Sequence, residues 1–319
     1  MPLDLYSLEL YTIVVITSAT IFFIISLFGS YAILFKTPET IRAYKYHFLY
    51  LNCSYQFTIF FLGYFGRVNV YFNASRAICV EFTGLIQLFN SNWIWVQVAS
   101  MCLGLTLVVN ALFTTTLYRY CHLCHPKSFY VVSPMWRAVV HMTVPAVPAA
   151  IMVSLATVIC IFYSEYPEKT QEIQISICLV FSPLFMTLLI FTGSYTVASV
   201  FISFVFILRI MRKLRSNLNN ASKKTKEMQR ALTITLLLSV CIPSIFGAIS
   251  IAAAVSGLLT KVNHFEVLFR IPYLICIWVG LVNISATIIV VPPYREALLL
   301  CFRLKKVYDK GLMHARVVT

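Results

Sequence analysis

A chain of 319 residues that is 60% hydrophobic and only 11% charged, with a mean hydropathy of +0.85, is not a soluble domain, in which about a quarter of residues carry charge. Its net charge of +14 does not mark a nucleic-acid partner, because the basic residues gather in short links between apolar runs. The chain reads as an integral membrane protein with no separate soluble domain.

A spanning helix needs about 20 mostly apolar residues, and such runs recur along the whole length. They predict seven spans, at 11–35, 47–66, 91–117, 138–163, 190–211, 231–259 and 268–291. The first run is longer than a signal-peptide core of about 7–15 residues and has no preceding Lys or Arg. It is expected to remain as the first span. Two runs, 82–117 and 173–208, exceed one crossing of a hydrocarbon core about 30 Å thick. Charge decides against splitting either. With the N-terminus outside, twenty of the 25 Lys and Arg lie inside, eight of them between the fifth and sixth spans. Only Arg67, Arg76, Lys169, Lys261 and Arg270 lie outside, as expected when basic residues collect in cytoplasmic loops. The surplus length is assigned to outer-face structure around 80–90 and 174–190. The sequon at Asn73 falls in a predicted outer loop, making it the glycosylation candidate; those at Asn52, Asn220 and Asn283 do not.

Along the third span Asn90, Trp93, Gln97, Ser100 and Gly104 recur at spacings of three and four. The stripe faces the bundle interior, since polar groups avoid lipid. Two readings stand side by side: a ligand cavity in the outer half, or small and amide side chains gluing helices together. Tyr195 of the fifth span and Tyr273 and Trp278 of the seventh lie at depths that complete such a cavity, although interfacial aromatics are common. His141 is the main ionisable residue deep in a span. An apolar cavity with a few hydrogen-bonding groups suits a small, neutral or weakly polar ligand.

The third span ends in LYRYCHLCH, 117–125. Its Cys121, His122, Cys124 and His125 would not converge on a zinc ion in a continuing helix, where Cys121 and Cys124 share a face and the histidines turn about 100° away; a loop could fold them differently, but unpatterned Cys and His is the favoured reading. They are expected in a basic inner loop that Pro126 helps to end. Arg119 is the first charge after the apolar run and marks where the helix leaves the bilayer. After the seventh span, PPYREALLLCFRLKK breaks at two prolines and resumes an amphipathic pattern. It predicts a cytoplasmic helix and tail over 293–319 lying on the anionic leaflet, with Cys301 a palmitoylation candidate.

Seven spans with Tyr118-Arg119-Tyr120 at the foot of the third resemble the G-protein-coupled receptors. The stretch SKKTKEMQRALTITLLLSVCIPSIF before and through the sixth span, and SATIIVVPPYREALL at the end of the seventh, resemble the nematode serpentine chemoreceptors, closest to class H and its relatives. The resemblance implies an all-α seven-transmembrane bundle with its C-terminus cytoplasmic. It implies a chemosensory receptor in the plasma membrane of a sensory cilium that takes a small-molecule ligand and a heterotrimeric G protein. No cofactor and no enzymatic activity are implied. Pro293, Tyr294 and Arg295 match the family's Pro-Tyr-Arg, and with Arg119, Tyr120 and Glu227 they form the signalling candidates. In place of the family's acid and Asn ahead of the Arg-Tyr pair stand Leu117 and Tyr118. Glu227, at the foot of the sixth span, is a candidate resting partner of Arg119, the alternative being a local pair with Lys223, Lys224 or Arg230. Receptors of this broad type often carry an outer disulfide, which points to Cys79 and Cys178, with Cys160 as a competing partner.

Rival classes fit less well. A transporter would show internal repeats and midplane charges, a channel of the insect odorant-receptor kind would have its N-terminus inside, and an intramembrane enzyme would need paired carboxylates or a metal set.

Overall fold

The computed structural model describes residues 8–72, 78–88, 94–162, 164–165, 175–179, 183–217, 223–260 and 265–301. Helix α1 (Leu8–Phe35) is followed by a 3-10 segment (Glu39–Tyr44) and α2 (Lys45–Phe60), which runs on as a π segment (Phe61–Phe65). Then come α3 (Ile94–Cys124), the short α4 (Phe129–Val132), α5 (Pro134–Phe162), α6 (Pro183–Asn217), α7 (Lys223–Thr260), α8 (Phe265–Val290) and α9 (Pro292–Cys301). Among the described residues α1, α3, α5, α6, α7 and α8 are each long and apolar enough to cross a membrane. The seventh crossing is α2 with its π segment. It is more polar, with Asn52, Ser54, Gln56 and Thr58, but from Lys45 to Phe65 it is long enough for a core of about 30 Å.

The helices close a ring: α1 packs on α2 and α8, α8 on α7, α7 on α6 and α6 on α5, while α3 touches α2, α5, α6 and α7 from the middle. Lipid offers no hydrophobic drive for this assembly, so close approach and polar contacts must hold it. A Cβ on Gly104 would stand 2.8 Å from the Thr58 hydroxyl, so α2 and α3 meet there at backbone distance. Between α1 and α2, Asn52 Nδ2 donates to the Ser26 carbonyl (3.0 Å) and the Ser30 hydroxyl (2.8 Å), and Ser26 Oγ donates to Asn52 Oδ1 (2.8 Å). Asn283 of α8 accepts from Ser239 of α7 (2.8 Å) and donates to Tyr55 of α2 (3.0 Å). The central α3 buries Thr106, Thr114, Thr115 and Thr116. Each hydroxyl donates to a carbonyl four residues back in its own helix, at 2.6–2.8 Å, so four polar side chains sit in the core at little cost.

One end of the bundle carries a four-stranded antiparallel sheet, β1 (Val68–Phe72), β2 (Ile78–Phe82), β3 (Ser164–Glu165) and β4 (Ile175–Leu179), in the order β1-β2-β4-β3. The surplus of the fifth apolar run supplies β4 and that of the third supplies the end of β2 and a 3-10 turn (Leu85–Leu88), while β1 and β3 come from the links between the runs. The opposite end holds the basic links. Two expectations are corrected. The fifth-span helix begins at Pro183 rather than 190. The LYRYCHLCH stretch is not a loop: α3 continues through Cys124 and yields only at His125 and Pro126. Its tyrosines pack on neighbouring helices, which pays for the extra turns. At the other end of α9, residues 302–319 of the expected cytoplasmic tail lie outside the described region.

Candidate functional site

At the basic end, successive residues of α3 point about 100° apart, so Tyr118, Arg119 and Tyr120 face three different neighbours. Tyr118 is buried and stacks on His47 of α2, with centroids 4.2 Å apart. It meets the rings of Tyr44 and Tyr130 edge-on and lies under the Arg137 guanidinium. Tyr120 turns to α6, where it stacks on Phe206 at 4.7 Å and its hydroxyl accepts from Arg209 (3.3 Å). Between them Arg119 is fully enclosed, at 0% exposure. Its guanidinium lies 4.7 Å from the centre of the Tyr44 ring, and Nη2 donates to the side-chain carbonyl of Gln229 on α7 and, at 3.4 Å, to the Gln229 main-chain carbonyl. Its Nε and Nη1 are buried and make no hydrogen bond. Burial pushes the Tyr44 phenol above its ordinary range despite the adjacent guanidinium, so it meets Arg119 as a neutral ring.

The α7 partner of Arg119 in this structure is therefore Gln229 and not Glu227, which is exposed. The reason is angular. Two residues along a helix turn about 200°, and Gln229 lies on the same stripe as buried Leu232, Leu236 and Val240, with Glu227 on the far side. That apolar spacing was the signal that could have selected Gln229. The contributions of Tyr44 and His47 had no comparable signal, since aromatics are abundant throughout.

Tyr294 is fully buried at the start of α9, and its hydroxyl shares a 2.9 Å hydrogen bond with Thr37 at the end of α1. Burial raises its pKa, so it stays neutral and ties the two helices together. Pro293 lies in the first turn of α9, where a missing N–H costs nothing, and Arg295 is half-buried. The Cys/His cluster does not converge: His122 Nδ1 bonds the Tyr44 hydroxyl (3.0 Å) and His125 Nε2 the Tyr120 hydroxyl (3.3 Å). Among the described residues no three metal-ligating side chains come together.

At the sheet end the predicted cavity residues separate. Gln97 of α3 donates to the carbonyls of Phe61 (3.0 Å) and Gly66 (3.4 Å). Tyr273 of α8 donates to those of Leu62 and Gly66. Both thus clamp the π segment and the Gly66 that follows it, the Phe61 carbonyl also accepting from the Gly66 N–H (3.0 Å). Tyr195 of α6 donates to Asn110 Oδ1 on α3 (2.7 Å), and Ser100 is half-buried. Trp278 is 48% exposed and faces outward, so it does not line the interior. Asn90, Trp93 and Asn73 lie outside the described residues, as does the side chain of Cys301. Cys79 and Cys178 are register partners, directly opposite one another in the β2–β4 ladder. Cys160 is buried at the end of α5, packed with Val68, Phe82 and Ile86.

The profile of the serpentine-type seven-transmembrane G-protein-coupled chemoreceptors of the Srh class matches residues 6–304. No curated protein matches the chain. A match over nearly the whole length, on a bundle of this build, places the chain in the Srh family of serpentine seven-transmembrane chemoreceptors.

Proposed function

We propose that this receptor binds a small, neutral or weakly polar molecule at the sheet end of its bundle and signals through a heterotrimeric G protein that docks at the basic end. The carrying observation is the buried Arg119, which links α3 to the 3-10 turn ahead of α2 and to α7. The sheet end is extracellular in this reading and the basic end cytoplasmic, in keeping with the positive-inside distribution. The receptor resides in the plasma membrane, in the sensory cilium of a chemosensory neuron.

A ligand shifts the equilibrium only through differential affinity for the two arrangements. Pro243 lies inside α7 and cannot donate to the carbonyl of Ser239, so α7 is weakest there as a rod. A swing of its basic end away from α3 removes the Gln229 acceptor and frees Arg119, whose unused Nε and Nη1 then meet a carbonyl or carboxylate of the G protein. Beside this site Cys121, His125, Pro126, Lys127 and Ser128 line a cleft of ≈ 540 Å³, room for the edge of a docking helix.

The test is expression of the full chain in cells carrying a G-protein-dissociation reporter, screened with volatile and water-soluble small molecules. The expected result is a ligand-dependent signal that Arg119→Ala abolishes while surface expression persists. A ligand-gated current that survives without any G protein would refute the reading.

A further inference from the structure

A second cavity, of ≈ 280 Å³, lies at the sheet end between α1 and the segment that leads out of α2. It is lateral: its wall includes Ile16 of α1, its rim Leu85 and Leu88, and all three are exposed. Its frame is rigid. A Cβ on Gly63 would stand 2.6 Å from the Ala19 side chain, and one on Gly84 2.4 Å from the Phe65 carbonyl, so both glycines are held in close contact with a neighbouring segment.

Arg67 is the one charged residue lining it. Its Nη2 donates to the Thr83 carbonyl (2.5 Å), and the Thr83 N–H donates to the Arg67 carbonyl (2.8 Å). The guanidinium is thereby held against the mouth of the strand pair. Its Nε is buried with no hydrogen-bond partner, whereas buried donors ordinarily have one. Nε itself is enclosed, so a guest meets the guanidinium from the cavity side, and a planar, permanently charged group lining a cavity is suited to a carboxylate, sulfate or phosphate. The volume sets the size of the guest. Drug-sized ligands occupy about 300–1,000 Å³, so this cavity takes a head group and a few methylenes, and the rest of the guest lies outside. Three residues from Ile16 and from Gly63, on the same faces of their helices, stand the exposed Ile13 of α1 and Phe60 of α2, apolar surface of the kind that faces acyl chains.

We propose that this cavity is a lateral site for the acidic head group of an acyl-chain amphiphile that partitions into the membrane, with Arg67 as the head-group ligand and an acyl chain lying along α1 and α2. A free long-chain acid and the head group of a resident anionic phospholipid share this chemistry. The site is separate from the bundle interior, and its test reads binding alone, so it stands or falls independently of G-protein coupling.

The full-length protein is reconstituted in phosphatidylcholine nanodiscs and irradiated with a diazirine-bearing palmitic acid, and the labelled peptides are mapped by mass spectrometry. Labelling is expected in the first half of α1 and in 60–88, competed by unlabelled palmitate and not by hexadecanol. Arg67→Met weakens it by about tenfold or more, the worth of one charge-assisted hydrogen bond. Ile16→Trp, which keeps Arg67 and fills the wall, does the same and stands in should the Arg67 variant fail to fold. If phosphatidylglycerol in the disc displaces the probe where palmitate does not, a resident phospholipid is the source and acidic-head recognition stands. Competition by hexadecanol equal to that by palmitate, labelling unchanged in both variants, or labelling confined to other segments overturns the proposal.

Discussion

Replacing Gln229 by Ala removes the side-chain acceptor that Arg119 Nη2 reaches on α7 and leaves only the main-chain carbonyl at 3.4 Å. A hydrogen bond to a charged group is worth about 1.5–3 kcal/mol. If it exists only in the resting arrangement, its loss moves the resting-to-active ratio by about 10- to 150-fold. A receptor that is ~1% active at rest would become roughly 10–60% active without ligand. Basal G-protein dissociation, normalised to surface expression, measures this directly. Glu227→Ala should leave the baseline unchanged, because Glu227 is exposed. Gln229→Glu, which puts a carboxylate against the guanidinium, should lower both the baseline and the ligand response. A silent Gln229→Ala together with an active Glu227→Ala would refute the assignment and restore Glu227 as the resting partner.

Three further outcomes follow from the geometry. Opposed residues of an antiparallel pair have Cα atoms about 4.5–5.5 Å apart, within disulfide range, so Cys79→Ser, Cys178→Ser and the double variant should each lower stability by the same ~2–4 kcal/mol; additive single losses in thermal unfolding would exclude the bridge. Asn52 and Asn283 are buried in the bundle, so glycosidase treatment should remove one glycan, and Asn73→Gln should abolish that shift; a glycan surviving in the variant would contradict the orientation. Gly104→Val drives a side chain into Thr58 and should cost about 1–3 kcal/mol, read as a lowered thermal midpoint, whereas the same change at Gly193, which has open space around it, should be tolerated.

The helical bundle was legible because hydropathy and charge placement are one-dimensional signals that lipid and water read directly. The sheet was not. β2 and β4, ICVEF and ISICL, continue the apolar runs of the helices that follow, and over so few residues periodicity cannot tell a strand from a buried helix. Arg119 announced itself as the first charge after a long neutral stretch, but its partner depends on which face of α7 turns inward, and that is settled by packing. Gln97 and Tyr273 were visible as interior polar residues. Whether such groups bind a ligand or the protein depends on which main-chain carbonyls come within their reach. Here the π segment at Phe61–Phe65, which no local pattern announces, supplies those carbonyls.

With Tyr118 standing where the resemblance leads to the expectation of an acid, the resting latch in the proposed mechanism has a different character. A carboxylate beside Arg119 would neutralise it and could release it on taking up a proton. An aromatic ring and an amide do neither: the charge persists, held by the Tyr44 face and by Gln229. An amide does not titrate, so protonation of the partner cannot be the trigger. On the proposed activation, release comes from displacement of α7 relative to α3, which loses the Gln229 contacts while the Tyr44 ring stays with the turn ahead of α2. Enclosure of Tyr118 by His47, Tyr44, Tyr130 and Arg137 anchors the α3 end to α2, α4 and α5, so in the proposed activation it is the basic end of α7 that moves.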